Sequence, residues 1–362
     1  MTELTQGAES SQITGQHGAA SLTANRRHYI DNLRAFSIQM IVVYHVCMIY
    51  NNWGESWYIH GQELVFPSIY IGFCSVWMMP LLFAIAGISS RYALEKRSAG
   101  AYAKERVQKL LVPLVFGMLL IVPIQSYLAG LFFNGQASYF DYFTTVTDMS
   151  GYDGAWTTGH LWFILFLVVF SLVCLPFMVL YKNKGKGTLG DRIPLVVILV
   201  MGLLPCIGSH IDIGGKSPGE YVSFFLLGYF FLANDNVLKK LDRYRFLLLG
   251  LAIVALLVSL YFDGQFFEEV SWLSILALLG MGRRYLDFSN KVTSYLSKSC
   301  FGVYVFHQSW IVVVAFFIFK LNDNPVLQFP LILVSAVLLT YATYELCRRI
   351  PVVRWMFGLH KK

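Results

Sequence analysis

The chain has 362 residues, of which 56% are hydrophobic and only 14% charged, with a formal net charge of +7. Soluble domains carry about 25% charged residues, because a folded surface must face water. With a mean hydropathy of +0.57, the chain has too few charges to coat a globule of this size, and lipid is the solvent it fits.

Residues 1–25 are rich in Ser, Thr, Gly, Gln and Ala and lack an apolar period, the composition of a disordered tail. They hold no short apolar core with a cleavage site, so the first span is expected to act as an uncleaved anchor. The apolar runs that follow predict about ten spans, at 33–51, 65–90, 110–134, 160–181, 193–208, 220–233, 246–262, 270–282, 299–319 and 326–346. The fifth, sixth and eighth are short. The longer runs approach the ~18 to 20 residues that cross ~30 Å of hydrocarbon as a helix. They are solidly apolar rather than alternating, so the expected fold is an all-α polytopic bundle and not a barrel. A single membrane domain over 26–350 followed by a basic tail, 351–362, is the domain organisation this predicts.

Basic residues segregate along the chain. They cluster before the first span (Arg26, Arg27, Arg34), in the 91–109 connection (Arg91, Lys96, Arg97, Lys104, Arg106, Lys109), at 182–192, 234–245 and 282–298, and after the last span. Of the 28 Lys and Arg, only Lys216 and Lys320 fall in the alternate loops. Cytoplasmic loops are enriched in Lys and Arg, so both termini are expected in the cytoplasm of a multi-pass protein of the cell membrane. Membrane lipid accounts for the positive charge without a nucleic-acid partner. The alternate loops 51–66 and 135–159 contain acidic residues and no Lys or Arg. They are dense in aromatics, among them Trp53, Trp57, Tyr58, Tyr139, Phe140, Tyr142, Tyr152 and Trp156. Such residues form interfacial belts or a sugar-stacking surface. The six cysteines show no CxxC pair and no metal-ligand spacing, which predicts small apolar packing residues and no metal site.

Ionisable groups inside spans are candidate functional residues. In the first span His45 follows Arg34 by eleven residues, which places it ~16 Å deeper and within ~20° of the same helix face. An arginine at a span end ordinarily snorkels to lipid phosphate, and a lone buried histidine is commonly structural. The pair on one face is more specific: it suits a long anionic substrate that reacts deep in the bilayer.

The Arg-x10-His spacing in Asp31-Asn-Leu-Arg34-Ala resembles the acyltransferase-3 family of integral membrane proteins. So do Phe83-Ala-Ile-Ala-Gly87, Arg106-Val-Gln-Lys109 ahead of Leu110-Leu-Val-Pro113, Gly159-His-Leu-Trp-Phe163, Gly302-Val-Tyr-Val-Phe-His307-Gln308 and Tyr344-Glu345. The resemblance covers roughly 27–357 and is nearest the branch with glucan-modifying succinyltransferases. Two positions depart from the family pattern: Ala86 stands where Ser is common, and Lys109 replaces the second arginine of a pair, keeping charge but losing the bidentate fork.

The resemblance implies transfer of an acyl group, of acetyl or succinyl type, from cytoplasmic acyl-CoA to a hydroxyl of an envelope carbohydrate or related acceptor. No permanently bound cofactor is implied. His45 would be the general base or form a transient acyl-imidazole. Arg34, Arg106 and Lys109 would clamp the CoA phosphates. His160, Trp162, His307 and Gln308 would meet the acceptor or support the base. Glu345, beside Arg348 and Arg349, reads as a charge partner. No long domain follows the tenth span, so either the membrane domain completes the transfer or it passes the acyl group to a separate extracytoplasmic acyltransferase. A polytopic transporter or flippase of a glycan, lipid or small solute is the alternative reading, though no internal repeat between the halves supports it. A non-catalytic relative would be expected to lack Arg34 or His45, and both are present.

Overall fold

The computed structural model describes residues 27–54, 57–184, 193–213 and 215–360; the 1–25 tail lies outside them. The described residues are helical or irregular, with no strand. The helices are α1 (His28–Met48), α2 (Val65–Lys96), α3 (Ala99–Asn134), α4 (Gly159–Val173), α5 (Leu175–Asn183), α6 (Leu195–Gly208), α7 (Pro218–Leu232), α8 (Asp235–Arg243), α9 (Arg245–Tyr261), α10 (Phe267–Tyr285), α11 (Lys291–Ile318), α12 (Pro325–Cys347) and α13 (Pro351–Met356).

A helix lies over every predicted span, but the helices outrun the apolar runs. Helix α2 continues to Lys96 and α3 starts at Ala99, so the predicted 91–109 connection is two helix ends meeting at Arg97 and Ser98. There Ser98 Oγ accepts from the Ala101 N–H, an N-cap that restarts the helix. Helix α11 begins at Lys291, eight residues before its apolar run, because Asn290 and Thr293 form a reciprocal capping box. Apolar runs end at the first charge, whereas a helix ends where its last backbone groups find a cap.

By length and composition, α2, α3, α11 and α12 can each cross a membrane. The number rises to six if α4 with α5, bent by 46°, and α7 with α8, bent by 98°, each count as one span. Helices α6 and α9 are shorter apolar helices. The 234–245 connection is mostly α8, an amphipathic helix capped by Asn234 that buries Val237, Leu238 and Leu241. The C-terminal tail is also structured: Trp355 packs on Phe116 of α3, and buried Phe357 packs on Phe306 of α11. All six cysteines are unpaired.

Helix α1 is the centre of the bundle, packed against α2, α10, α11 and α12. Helix α3 carries two prolines, Pro113 and Pro123. A π-turn at Val107–Leu111 precedes the first, and a break at Ile121 precedes the second. Proline lacks the N–H the ladder needs, so each forces a local adjustment. Beyond the second break lies Gln125, which faces the site described below.

The Phe83–Gly87 motif has a packing reason. A Cβ at Gly87 would stand 2.0 Å from the Phe225 carbonyl oxygen, and one at Gly228 would stand 2.2 Å from the Ala84 carbonyl oxygen. Helices α2 and α7 thus touch backbone to backbone through two glycines, a small-residue crossing of the kind membrane helices use. Gly87→Val is expected to lower stability by about 1–3 kcal/mol through overpacking, read as a fall in the melting temperature in detergent. Gly250→Val, where a Cβ meets no atom within 4 Å, is the matched control; equal melting of the two variants would refute the close crossing.

Candidate active site

Three histidines from three helices meet in the bundle. His45 Nδ1 lies 2.8 Å from His307 Nε2, and the two rings stack with centroids 5.0 Å apart. His160 meets His307 edge-on at 5.2 Å. His160 and His307 are buried, 4% and 0% exposed, whereas His45 is half-buried.

The hydrogen bonds assign each nitrogen. His307 Nδ1 is 2.8 Å from the Tyr304 carbonyl oxygen and 3.0 Å from that of Val303. Carbonyls only accept, so this nitrogen carries the proton. In the neutral ring Nε2 is then an acceptor, and His45 Nδ1–H donates to it. His160 is equally committed. Its Nε2–H donates to the Val305 carbonyl at 3.0 Å, and its Nδ1 accepts from Gln125 Nε2 at 3.4 Å. Of the six ring nitrogens, His45 Nε2 alone is free of a protein hydrogen bond among the described residues. An imidazole with a fixed tautomer, an oriented ring and a free basic nitrogen is equipped to take a proton.

A glutamine network braces this arrangement. Gln308 Nε2 donates to Gln125 Oε1 at 2.9 Å, and Gln125 Nε2 donates to Ser309 Oγ at 2.6 Å. Ser309 Oγ in turn donates to the Ile121 carbonyl at 3.1 Å, at the Pro123 break. Tyr304 OH donates to the His160 carbonyl. Buried polar groups satisfied in this way rigidify a core.

His45 lines a cavity of about 490 Å³. Its lining is rich in aromatics, with Tyr44, Trp57, Tyr58, Tyr152, Trp162 and Tyr221, and also includes Asp148, Ser150 and Lys216. The Lys216 ammonium lies 5.5 Å from the Trp162 ring centroid. The 135–158 segment folds over one side, held by Tyr142 OH donating to the Thr157 carbonyl at 2.9 Å and by Trp156 N–H donating to that of Thr145 at 2.9 Å. Of the aromatic residues singled out in the loops, Trp57, Tyr58 and Tyr152 line the cavity. Trp53 and Phe140 are exposed, and Tyr142 is buried behind it.

His160, Trp162 and Gln308 therefore join His45 at the cavity, while His307 stands behind His45 as its acceptor. The three predicted phosphate contacts lie elsewhere. Arg34 bonds Asp31 Oδ1 at 3.1 Å and Ser89 Oγ at 2.8 Å. Arg106 lies over the Tyr102 ring at 4.7 Å, and Lys109 Nζ bonds Glu105 at 2.7 Å. None of them lines the His45 cavity. Glu345 pairs with Arg348 at 2.7 Å, as its position predicted. Gln125, Tyr221 and Lys216 were not singled out from the sequence as site residues. The only signal for Gln125 is one neutral amide in an otherwise apolar run.

Residues 27–345 match the family model described as an acyltransferase domain, acyltransferase family 3. Curated proteins named "Glucans biosynthesis protein C" from Escherichia coli O139:H28 (strain E24377A / ETEC) and from Escherichia coli O81 (strain ED1a) are each 23% identical over 385 residues. The alignments cover 92% of this chain and 95% of those proteins. No solved structure matches the chain. The family match spans most of the molecule, and the chain belongs to the acyltransferase-3 family of acyltransferases that transfer groups other than amino-acyl groups.

Proposed function

We propose that the protein is a membrane-bound O-acyltransferase that moves an acetyl- or succinyl-type group from acyl-CoA to a hydroxyl of a carbohydrate held in the aromatic-walled cavity. The observation that carries this reading is the single free imidazole nitrogen, His45 Nε2, on a ring fixed by His307 and lining a cavity large enough for a sugar. The curated relatives are named for glucan biosynthesis, which favours an envelope glucan or related glycan as acceptor.

The chemistry follows from the tautomers. An acceptor hydroxyl donates its proton to His45 Nε2 as its oxygen attacks the thioester carbonyl carbon. The tetrahedral intermediate collapses with loss of the CoA thiolate, which takes the proton back from His45. While His45 is cationic, its Nδ1–H bond to neutral His307 Nε2 becomes charge-assisted and strengthens. A transient acyl-imidazole at the same nitrogen is the covalent variant. The planar walls of Trp57, Tyr152, Trp162 and Tyr221 suit the apolar faces of a sugar ring.

The donor is assigned to the opposite half of α1. Arg34 lies ~16 Å along the helix from His45, a separation suited to an extended thioester with its phosphates near Arg34 and its carbonyl at His45. Arg106 and Lys109 are the further proposed phosphate contacts. In this arrangement the ten apolar runs read from the sequence are spans, both termini are cytoplasmic and the cell membrane is the site of action, as the Lys and Arg asymmetry favours. Transfer directly within the bundle or through a separate extracytoplasmic acyltransferase is compatible with the same donor half-reaction.

Release of free CoA from acetyl-CoA or succinyl-CoA by the purified protein, with a glucan acceptor present, is the direct test. Acyl-CoA left intact while a solute crosses vesicle membranes would overturn the enzyme reading in favour of transport. His45→Ala is expected to reduce CoA release by about 10²–10⁴-fold with melting close to wild type; full activity would exclude the proposed base. His307→Ala is expected to lower kcat with little change in donor KM. His307→Gln is expected to recover part of the loss, because an amide oxygen can accept His45 Nδ1–H. Equal losses in both His307 variants would reduce His307 to a packing role. Arg34→Ala is expected to raise the acyl-CoA KM while leaving kcat largely unchanged, and an unchanged KM would remove Arg34 from the donor site.

A further inference from the structure

A second cavity, of about 410 Å³, lies at the other end of α1. His28 and His45 are 17 residues apart on that helix, so the two cavities are separated by ~26 Å of helix. The second is built by Arg27 before α1, Arg91, Tyr92 and Glu95 on α2, Tyr181 and Lys182 on α5, Tyr229 and Phe230 on α7, and Asn234 and Asp235 at the turn into α8. Neither Arg34, Arg106 nor Lys109 lines it.

Its charges do not cancel. Asp235 is shared by Arg27 at 3.4 Å, Arg283 at 2.9 Å and Lys239 at 3.0 Å. Burial opposes the charge of Asp235, but hydrogen bonds from Lys239 and Arg283, with Arg283 and Arg27 nearby, hold its carboxyl below the usual range. One carboxylate thus faces three cations. Among the described residues Glu95 pairs with Arg91 Nε, at 3.0 Å. The Lys182 ammonium is held beside them by the Leu94 carbonyl at 2.6 Å and the Arg97 carbonyl at 3.2 Å.

Beside tyrosine hydroxyls, Tyr29 near Arg27 and Tyr229 near Arg91, each cavity arginine keeps one terminal nitrogen without a well-aligned acceptor among the described residues. These are Arg27 Nη1 and Arg91 Nη1, both buried and without a hydrogen bond among the described residues; the Arg91 side chain is only 11% exposed and that of Arg27 26%. Buried donors are paired as a rule, so spare donors on two guanidinium groups that line one cavity favour an anionic ligand there. Tyrosines hold the two groups in place: Arg27 lies over Tyr92 at 5.0 Å, and Arg91 over Tyr181 at 4.7 Å and Tyr229 at 5.5 Å. Stacking occupies the guanidinium face and leaves its edge, the part that grips phosphate oxygens, available.

We propose that this cavity is a phosphoryl-binding site in which Arg27 and Arg91 grip the phosphate of either the nucleotide end of acyl-CoA or a phospholipid headgroup. The nucleotide source rests on the donor reading above; the lipid source does not. The full-length protein in nanodiscs is titrated with adenosine 3′,5′-bisphosphate by calorimetry, and lipid retention from nanodiscs of phosphatidylglycerol mixed with phosphatidylcholine is read by native mass spectrometry. Arg91→Gln, Arg27→Gln and the exposed-residue control Arg349→Gln are compared with wild type. One of the two phosphoryl ligands is expected to bind wild type and Arg349→Gln and to bind at least 10-fold more weakly to the two cavity variants. Bisphosphate binding with that pattern assigns the nucleotide end, and selective retention of phosphatidylglycerol with that pattern assigns the lipid. Should Arg91→Gln fail to fold, Arg27→Gln, at the helix end, carries the comparison alone. Binding by neither ligand, or equal binding by cavity variants and wild type, overturns the site. If acyl-CoA turnover then keeps its wild-type KM in the cavity variants, the donor reading stands without this site.

Discussion

The bond between His45 and His307 determines what the rest of the bundle must do. An imidazole inside a bilayer protein has two nitrogens, and each needs a partner or a purpose. The Val303 and Tyr304 carbonyls of α11 lock the His307 tautomer, His307 locks that of His45, and one lone pair is left facing the cavity. The direction of every proton in this series follows from the two carbonyls at its start, because they can only accept. Helices α1 and α11 must therefore stay in register to within a fraction of an ångström. Their extensive packing, with His45 and His307 at the contact, supplies that register.

The neighbouring polar groups read as consequences of the same constraint. His160 occupies the third position around His307, but both its nitrogens are spoken for by Val305 and Gln125. It cannot serve as a second base without breaking one of these bonds, which tie α4 to α11 and α3. Gln125 reaches it because the Pro123 break redirects α3. The backbone contact of α2 with α7 through Gly87 and Gly228 sets the opposite wall, since Met78 and Met79 begin one helix segment at the cavity and Tyr221 belongs to the other. Small residues far from His45 thus bear on the width of the cavity it lines.

How much of this was legible in the sequence depended on whether the signal lay within one helix or between helices. The Arg34–His45 relationship is intrahelical, so periodicity alone places the two on one face. Helix existence was equally readable, because every apolar run had to satisfy its backbone in lipid. Helix ends were not, since caps at Ser98 and Asn290 carry helices through charged stretches that look like connections. The partner of His45 lies 262 residues away, and no spacing rule relates two positions so far apart; only the resemblance brought His307 to notice. Gln125 and Tyr221 escaped because a neutral polar residue in an apolar run draws no charge-based attention. For His160 the sequence leaves acceptor contact and support both open, and the structure gives it two hydrogen bonds and a place in the cavity lining.

Helix α1 also links two cavities of different character, one at each end. A helix is a ruler: charge at its N-terminal end and an imidazole near its C-terminal end are held at a fixed distance whatever the loops do. At one end the lining is aromatic with mixed polar groups; at the other, two arginines stacked on tyrosines and Lys182 face two carboxylates. Neutral ring-shaped ligands suit the first environment and phosphorylated ones the second. A molecule with a phosphorylated head and a reactive tail would match both ends of the ruler at once. Its binding energy at the charged end would then position the tail at the base, where orientation rather than further contact accelerates the reaction.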